Sequence, residues 1–221
     1  MKVLCACEYS GIVRDAFLNQ GHHAVSCDLL PCESSIEDSH LHYQGDLFDI
    51  LYEDWDLVIS FPPCTYLTNS GIRWFNEERY GDKARERKRL RLDAMEFVKR
   101  IWDSNTHVCI ENPVGYLSNN WQKPTQIIQP YYFGEEESKR TCLWLKNLPK
   151  LKHTKYVEPK IHGYYKSGAK KGKPYYFSDA LVNSKDRAKE RSKFWNGVAE
   201  AMATQWTTNV INGQKLFKGL V

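Results

Sequence analysis

Cys64 follows Pro62-Pro63 directly, at the end of the apolar run Leu57-Val58-Ile59. Proline cannot donate to a sheet ladder, so the two prolines stop a strand. The cysteine then opens a loop at that strand's carboxyl end, where open α/β sheets hold their ligand crevice. A thiol there can meet a substrate and, once ionised, act as a nucleophile. The bland alternative is a buried structural thiol, the usual fate of free cysteine. About 47 residues further on the pattern repeats: Val108-Cys109-Ile110 runs into Glu111-Asn112-Pro113. An acid at a strand's carboxyl end would face the same crevice as Cys64.

These residues need a scaffold. Lys2 to Cys7 reads as a buried strand, Glu8-Tyr9-Ser10-Gly11 as a turn, and Ile12 to Gln20 as a helix with Ile12, Val13, Ala16 and Phe17 on one face. Gly21 is a helix stop. His22 to Asp28 is a second strand ending in an acid, which completes a βαβ unit with an acid about 20 residues past the glycine turn. Asp28 fits either a ribose-binding role or a plain strand-end turn. Residues 31–44 are polar and read as a surface connection, and Gly45-Asp46-Leu47-Phe48 as a short element.

The spacing of Leu90, Ala94, Phe97, Val98 and Ile101 predicts a core-facing helix from Leu90 to Trp102. The charges of 72–90, among them Arg85, Arg87, Lys88 and Arg89, and Arg91 just beyond, read as a solvated face, and the loop before the helix as a lid candidate. Lys139-Arg140 precede another strand, Thr141 to Leu145. Helical spacing returns from Phe194 to Trp206, and the last residues read as an edge strand or tail.

The net charge of +4 conceals an asymmetry. Residues 1–71 hold Lys2 and Arg14 against eleven acids, whereas 139–193 hold sixteen Lys and Arg against four acids. That division suits a polyanionic partner or a solvated basic face equally well. Residues 150–193 interleave lysine with Tyr164-Tyr165 and Tyr175-Tyr176-Phe177, a composition suited to phosphate contact and base stacking or to a lysine-rich surface loop. The seven cysteines lack zinc-site spacing, so no metal is expected. No apolar run is long enough to span a membrane. The absence of a signal-like opening completes the expectation of a cytoplasmic protein, bacterial or in a phage-infected host.

Taken together, the motifs resemble those of the DNA (cytosine-5) methyltransferases in their usual order, and the size is similar to compact phage or prophage members. Tyr9-Ser10-Gly11-Ile12 resembles the first half of the family's Phe-x-Gly-x-Gly turn. Phe61-Pro62-Pro63-Cys64 through Gly71 is similar to the Pro-Cys nucleophile motif and its loop. Glu111-Asn112 matches the Glu-Asn motif, Lys139-Arg140 lies where Gln-Arg-x-Arg belongs, and Asn196-Gly197-Val198 resembles the late Gly-Asn-x-Val segment. The matches cover most of 1–145 and 194–206. Val13 and Arg14 replace the later glycines of the turn, Cys142 the second arginine, and Pro113 the usual valine.

The resemblance implies a Rossmann-like class I α/β fold with a mostly parallel central sheet, in three parts. These are a catalytic core (1–149), a short basic target-recognition insert (150–193) and a segment returning to the core (194–221). It implies methyl transfer from S-adenosylmethionine to C5 of a cytosine flipped from duplex DNA, with Cys64, Glu111 and Arg140 catalytic. Tyr9, Gly11, Asp28, Asp46, Pro63 and Asn196 would bind the cofactor. The alternatives are a nucleic-acid binder on a decayed methyltransferase fold, or a transferase acting on a free nucleotide or moving another group. Cys64 in place of an aromatic residue after Pro-Pro argues against exocyclic amino methylation.

Overall fold

Every second residue of the first strand faces the same layer: Val3 and Cys5 pack toward one side of the sheet, Leu4 and Ala6 toward the other. Strands buried on both faces read as continuous apolar runs, which is the signature of a covered parallel sheet. The computed structural model describes residues 1–36, 39–177 and 193–218. Its sheet has seven strands: β1 (Lys2–Ala6), β2 (His23–Asp28), β3 (His42–Gln44), β4 (Leu57–Ser60), β5 (Val108–Pro113), β6 (Gln126–Ile128) and β7 (Thr141–Lys146). Their order is β3-β2-β1-β4-β5-β7-β6. The first five run parallel, and β7 is antiparallel to both β5 and β6.

Helices cover both faces. Helix α1 (Ile12–Leu18) lies with α5 (Asn196–Lys218) on one, through Val13, Phe17, Val198, Met202 and Trp206. On the other lie α3 (Asp82–Asp103), through Val98 and Ile101, and the short α4 (Tyr116–Asn120), through Leu117. A four-residue helix, α2 (Glu77–Tyr80), precedes α3. A separate two-stranded ribbon pairs β8 (Gly163–Tyr164) with β9 (Pro174–Tyr175). Among the described residues no helix is long and apolar enough to cross a membrane.

Several expectations need correction. The stretch read as a surface connection contains β3, whose pairing with β2 (Ser26 to His42, Cys27 to Tyr43) supplies order that three residues do not signal by themselves. Helix α3 starts at Asp82 rather than Leu90, because ion pairs such as Arg89 with Glu86 and Asp93 one turn either way support its charged first half. The C-terminal segment is one helix to Lys218, not a strand or tail. Of the basic insert, residues 178–192 lie outside the described residues, as do 219–221 of the returning segment.

Candidate active site

The prolines end β4 at Ser60, and Phe61 N still donates to Ala6 O at 2.9 Å before the chain turns away. Pro62 is buried, while Pro63 and Cys64 are exposed. The Cys64 carbonyl accepts from both Leu67 N and Thr68 N at 2.9 Å, so a tight turn begins at the cysteine itself. Leu67, 1% exposed, anchors that turn, and its carbonyl accepts from Tyr116 N at 2.7 Å. Gly115 permits this approach: a Cβ there would stand 2.2 Å from Leu67 O.

The next strand is tied to the same loop. Asn112, 1% exposed, donates from Nδ2 to the Pro62 carbonyl at 2.8 Å. Glu111 beside it is half-buried, and its carboxylate accepts no hydrogen bond among the described residues. Burial pushes the Glu111 carboxyl above the usual carboxylate range, with the Lys139 charge opposing. Because β7 runs antiparallel, its start lies at the carboxyl end of β5, with Thr141 opposite Pro113 and Cys142 opposite Asn112. Exposed Arg140 therefore sits at the same sheet edge as Cys64 and Glu111. Cys142 is fully buried, so it offers nothing in place of a second arginine.

Asn196 opens α5, and its segment returns to this edge. Phe194 packs on Phe61 with ring centroids 4.8 Å apart, and Lys139 lies 4.8 Å over the Trp195 ring. Gly197 lets the helix start close in, since a Cβ would stand 1.8 Å from Phe133 O.

The other residues surround the ends of β1 and β2. Cys7 takes a left-handed backbone (φ 58°), which turns the chain sharply out of β1. Its thiol is pushed well up by burial and then by the charges of Asp28 and Asp46. Both aspartate charges thus act on the same thiol. Asp28 accepts from Leu30 N at 2.9 Å and Asp46 from Phe48 N at 2.9 Å, each through Oδ1, and their other oxygens accept no protein hydrogen bond among the described residues. Tyr9 and Gly11 are placed differently. Tyr9 is 5% exposed, and Glu33 N donates to its carbonyl at 2.8 Å. Gly11 has φ 74°, and a Cβ on it would meet Ser34 Cβ at 2.6 Å and Cys32 Sγ at 3.2 Å. This turn is filled by protein.

Three side chains that brace this edge escape the sequence reading. Arg91, 8% exposed, donates from Nε to Tyr66 O at 2.9 Å, and its guanidinium lies 3.2 Å from the Phe75 ring centroid and 4.5 Å from that of Tyr116. One turn earlier Arg87 donates to Thr65 O at 3.1 Å. The two arginines clamp the loop behind Cys64. The available signal is spacing: Ala84, Arg91 and Val98 stand seven apart on the buried stripe of α3. The third is buried Glu8, which accepts from Val13 N at 2.8 Å, Ser10 Oγ at 3.0 Å and Arg14 N at 3.3 Å. It caps α1 where Gly11 has no side chain to do so, and burial raises its carboxyl to about 7.

Among the described residues no group of three His, Cys, Asp or Glu side chains is arranged to hold a metal ion. The chain matches no protein-family model and has no significant match among curated proteins.

Proposed function

We propose that this chain is a class I, Rossmann-like methyltransferase that transfers a methyl group from S-adenosylmethionine to C5 of cytosine in DNA through a covalent Cys64 adduct. The observation that carries the reading is the joining of an exposed thiol and a half-buried acid at one sheet edge. Cys64 opens the turn after β4, and Asn112, next to Glu111, holds that turn by its Pro62 carbonyl. The strand order supports it too: β3-β2-β1-β4-β5 is the doubly wound order, whose ligand crevice opens between β1 and β4.

Asp28 and Asp46 fit the cofactor, since paired acceptors suit ribose hydroxyls and an exocyclic amine; exposed Pro63 would line its edge, and Asn196 would border it from α5. When bound, S-adenosylmethionine supplies an electrophilic methyl group on a sulfonium. The chain's own residues prepare the base. Cys64 adds as a thiolate to C6 of a flipped cytosine, and the displaced ring electrons make C5 nucleophilic as Glu111 gives its proton to N3. Arg140 offsets charge at the base carbonyl. Once C5 is methylated, loss of its proton to solvent water and expulsion of the thiolate restore the ring, and Glu111 recovers the N3 proton. The target must leave the duplex to reach these groups. The lysines of the β8–β9 ribbon suit its phosphates, with Lys170 lying 5.1 Å over the Tyr165 ring.

Mechanism-based trapping tests this. An oligonucleotide with 5-fluorocytosine cannot lose its C5 substituent, so a stable protein–DNA adduct is expected with the cofactor and none with Cys64→Ser. No adduct with the wild-type chain on any cytosine context contradicts the reading. A non-catalytic binder is the second reading, favoured by one observation: Cys32 and Ser34 fill the space at the Gly11 turn.

A further inference from the structure

Behind the Cys64 loop lies a groove of about 920 Å³, walled on one side by the loop from Thr65 to Trp74 and on the other by α2 and the first turns of α3. The volume falls in the range of small-molecule sites, about 300–1,000 Å³. Its lining is aromatic: Tyr66, Trp74 and Tyr80, with the Trp74 and Tyr80 centroids 4.9 Å apart. Trp74 is 42% exposed, although tryptophan is highly buried on average.

The charges in the groove are not balanced as they first look. Asp82 and Glu86 line it, but Asp82 is paired with Arg85, and Glu86 with Arg89 at 2.7 Å. Lys83 and Arg87 line it as well, and neither has a carboxylate partner among the described residues. Arg73 and Arg79 add cations over the faces of Trp74 and Tyr80, at 4.8 and 5.4 Å. Stacking rings with cations alongside are what a single nucleic-acid strand requires, since every base has a π-face and every linkage a negative charge.

We propose that this groove is a single-strand nucleic-acid site, in which an unpaired base near the target stacks on Trp74 and the adjoining phosphate meets Lys83. The inference rests on the reading of Cys64 as acting on cytosine in DNA, because the groove begins at Thr65, the next residue. The protein therefore engages more than one unpaired nucleotide, the target and a neighbour.

Fluorescence anisotropy with a short labelled oligodeoxythymidylate tests it, because that probe holds no cytosine and its binding needs no chemistry. Trp74→Ala is expected to weaken binding on the order of tenfold, and Trp74→Phe, which keeps a ring, to retain most of it. Lys83→Ala is expected to weaken binding and reduce the slope of log affinity against log salt by about 0.7, one phosphate contact on a single strand. Wild-type affinity and salt slope in both alanine variants, or no binding by the wild-type chain, overturn the proposal; the first result would put the strand on the lysine-rich ribbon instead. Methyl transfer to duplex DNA, measured in parallel, separates the two readings. Transfer with unchanged oligothymidylate binding sinks the groove alone, and altered binding without transfer sinks the enzyme alone.

Discussion

Asn112 Nδ2 donates a 2.8 Å hydrogen bond to the Pro62 carbonyl, so the strand that carries Glu111 and the turn that presents Cys64 are held as one unit. The carbonyl is two residues before the thiol, on a segment with no sheet ladder of its own. Removing the donor leaves a buried acceptor unpaired. Asn112→Ala should therefore cost about 1–3 kcal/mol in chemical denaturation. It should also change the rate at which iodoacetamide alkylates Cys64. Unchanged stability and alkylation would show that the bond does not position the turn.

Arg91 holds the other side of that loop. Its guanidinium is sandwiched by Phe75 and Tyr116 while Nε binds Tyr66 O. Arg91→Met keeps much of the packing and loses the donor; Arg91→Lys keeps charge but not the planar fork. In both, hydrogen exchange at the Leu67 and Thr68 amides should rise by roughly tenfold, about 1.4 kcal/mol of local opening. Amides in β1 and β4 should not change. A uniform rise across the sheet would mean a global effect instead.

Glu111 is the proposed proton donor, and burial favours its protonated form. Activity that needs the proton is present below the folded pKa and falls as pH rises through it. That limb should lie above the range of an ordinary glutamate. Glu111→Gln should lower kcat by about 10²–10⁴ and abolish the limb. A kcat pH profile with the limb intact in Glu111→Gln would assign the acid to another group.

Glu8 makes a prediction about stability. Its folded pKa of about 7 exceeds that of an unfolded glutamate, so the native state binds the extra proton between those values. Stability contributed by this group is complete below the unfolded pKa, about 4.3, and is lost as pH rises through about 7. Melting temperature should fall over that window in the wild-type chain and be flatter in Glu8→Gln. Parallel profiles would contradict the raised pKa.

Much of this edge was legible because its signals are local. Apolar runs ended by Pro62 and by Asn112-Pro113 mark the carboxyl ends of β4 and β5, and Gly11 and Gly21 bracket the helix between β1 and β2. What was hidden depends on partners far away in the chain. β3 and β6 are three residues each and exist through β2 and β7. Arg91 looked like a solvated charge because its partners, Tyr66, Phe75 and Tyr116, come from outside α3. Gly11 matched a cofactor turn by residue type, but only the fold shows Cys32 and Ser34 against it. Asp28 and Asp46 were named separately, and the charges of both acting on Cys7 are what unite them.

The most direct test is methyl transfer itself: labelled S-adenosylmethionine, unmethylated duplex DNA, and mass spectrometry of the digested nucleosides. The expected product is 5-methylcytosine with the wild-type chain and none with Cys64→Ala. N4-methylcytosine or N6-methyladenine, or 5-methylcytosine that persists without Cys64, would contradict the thiolate mechanism.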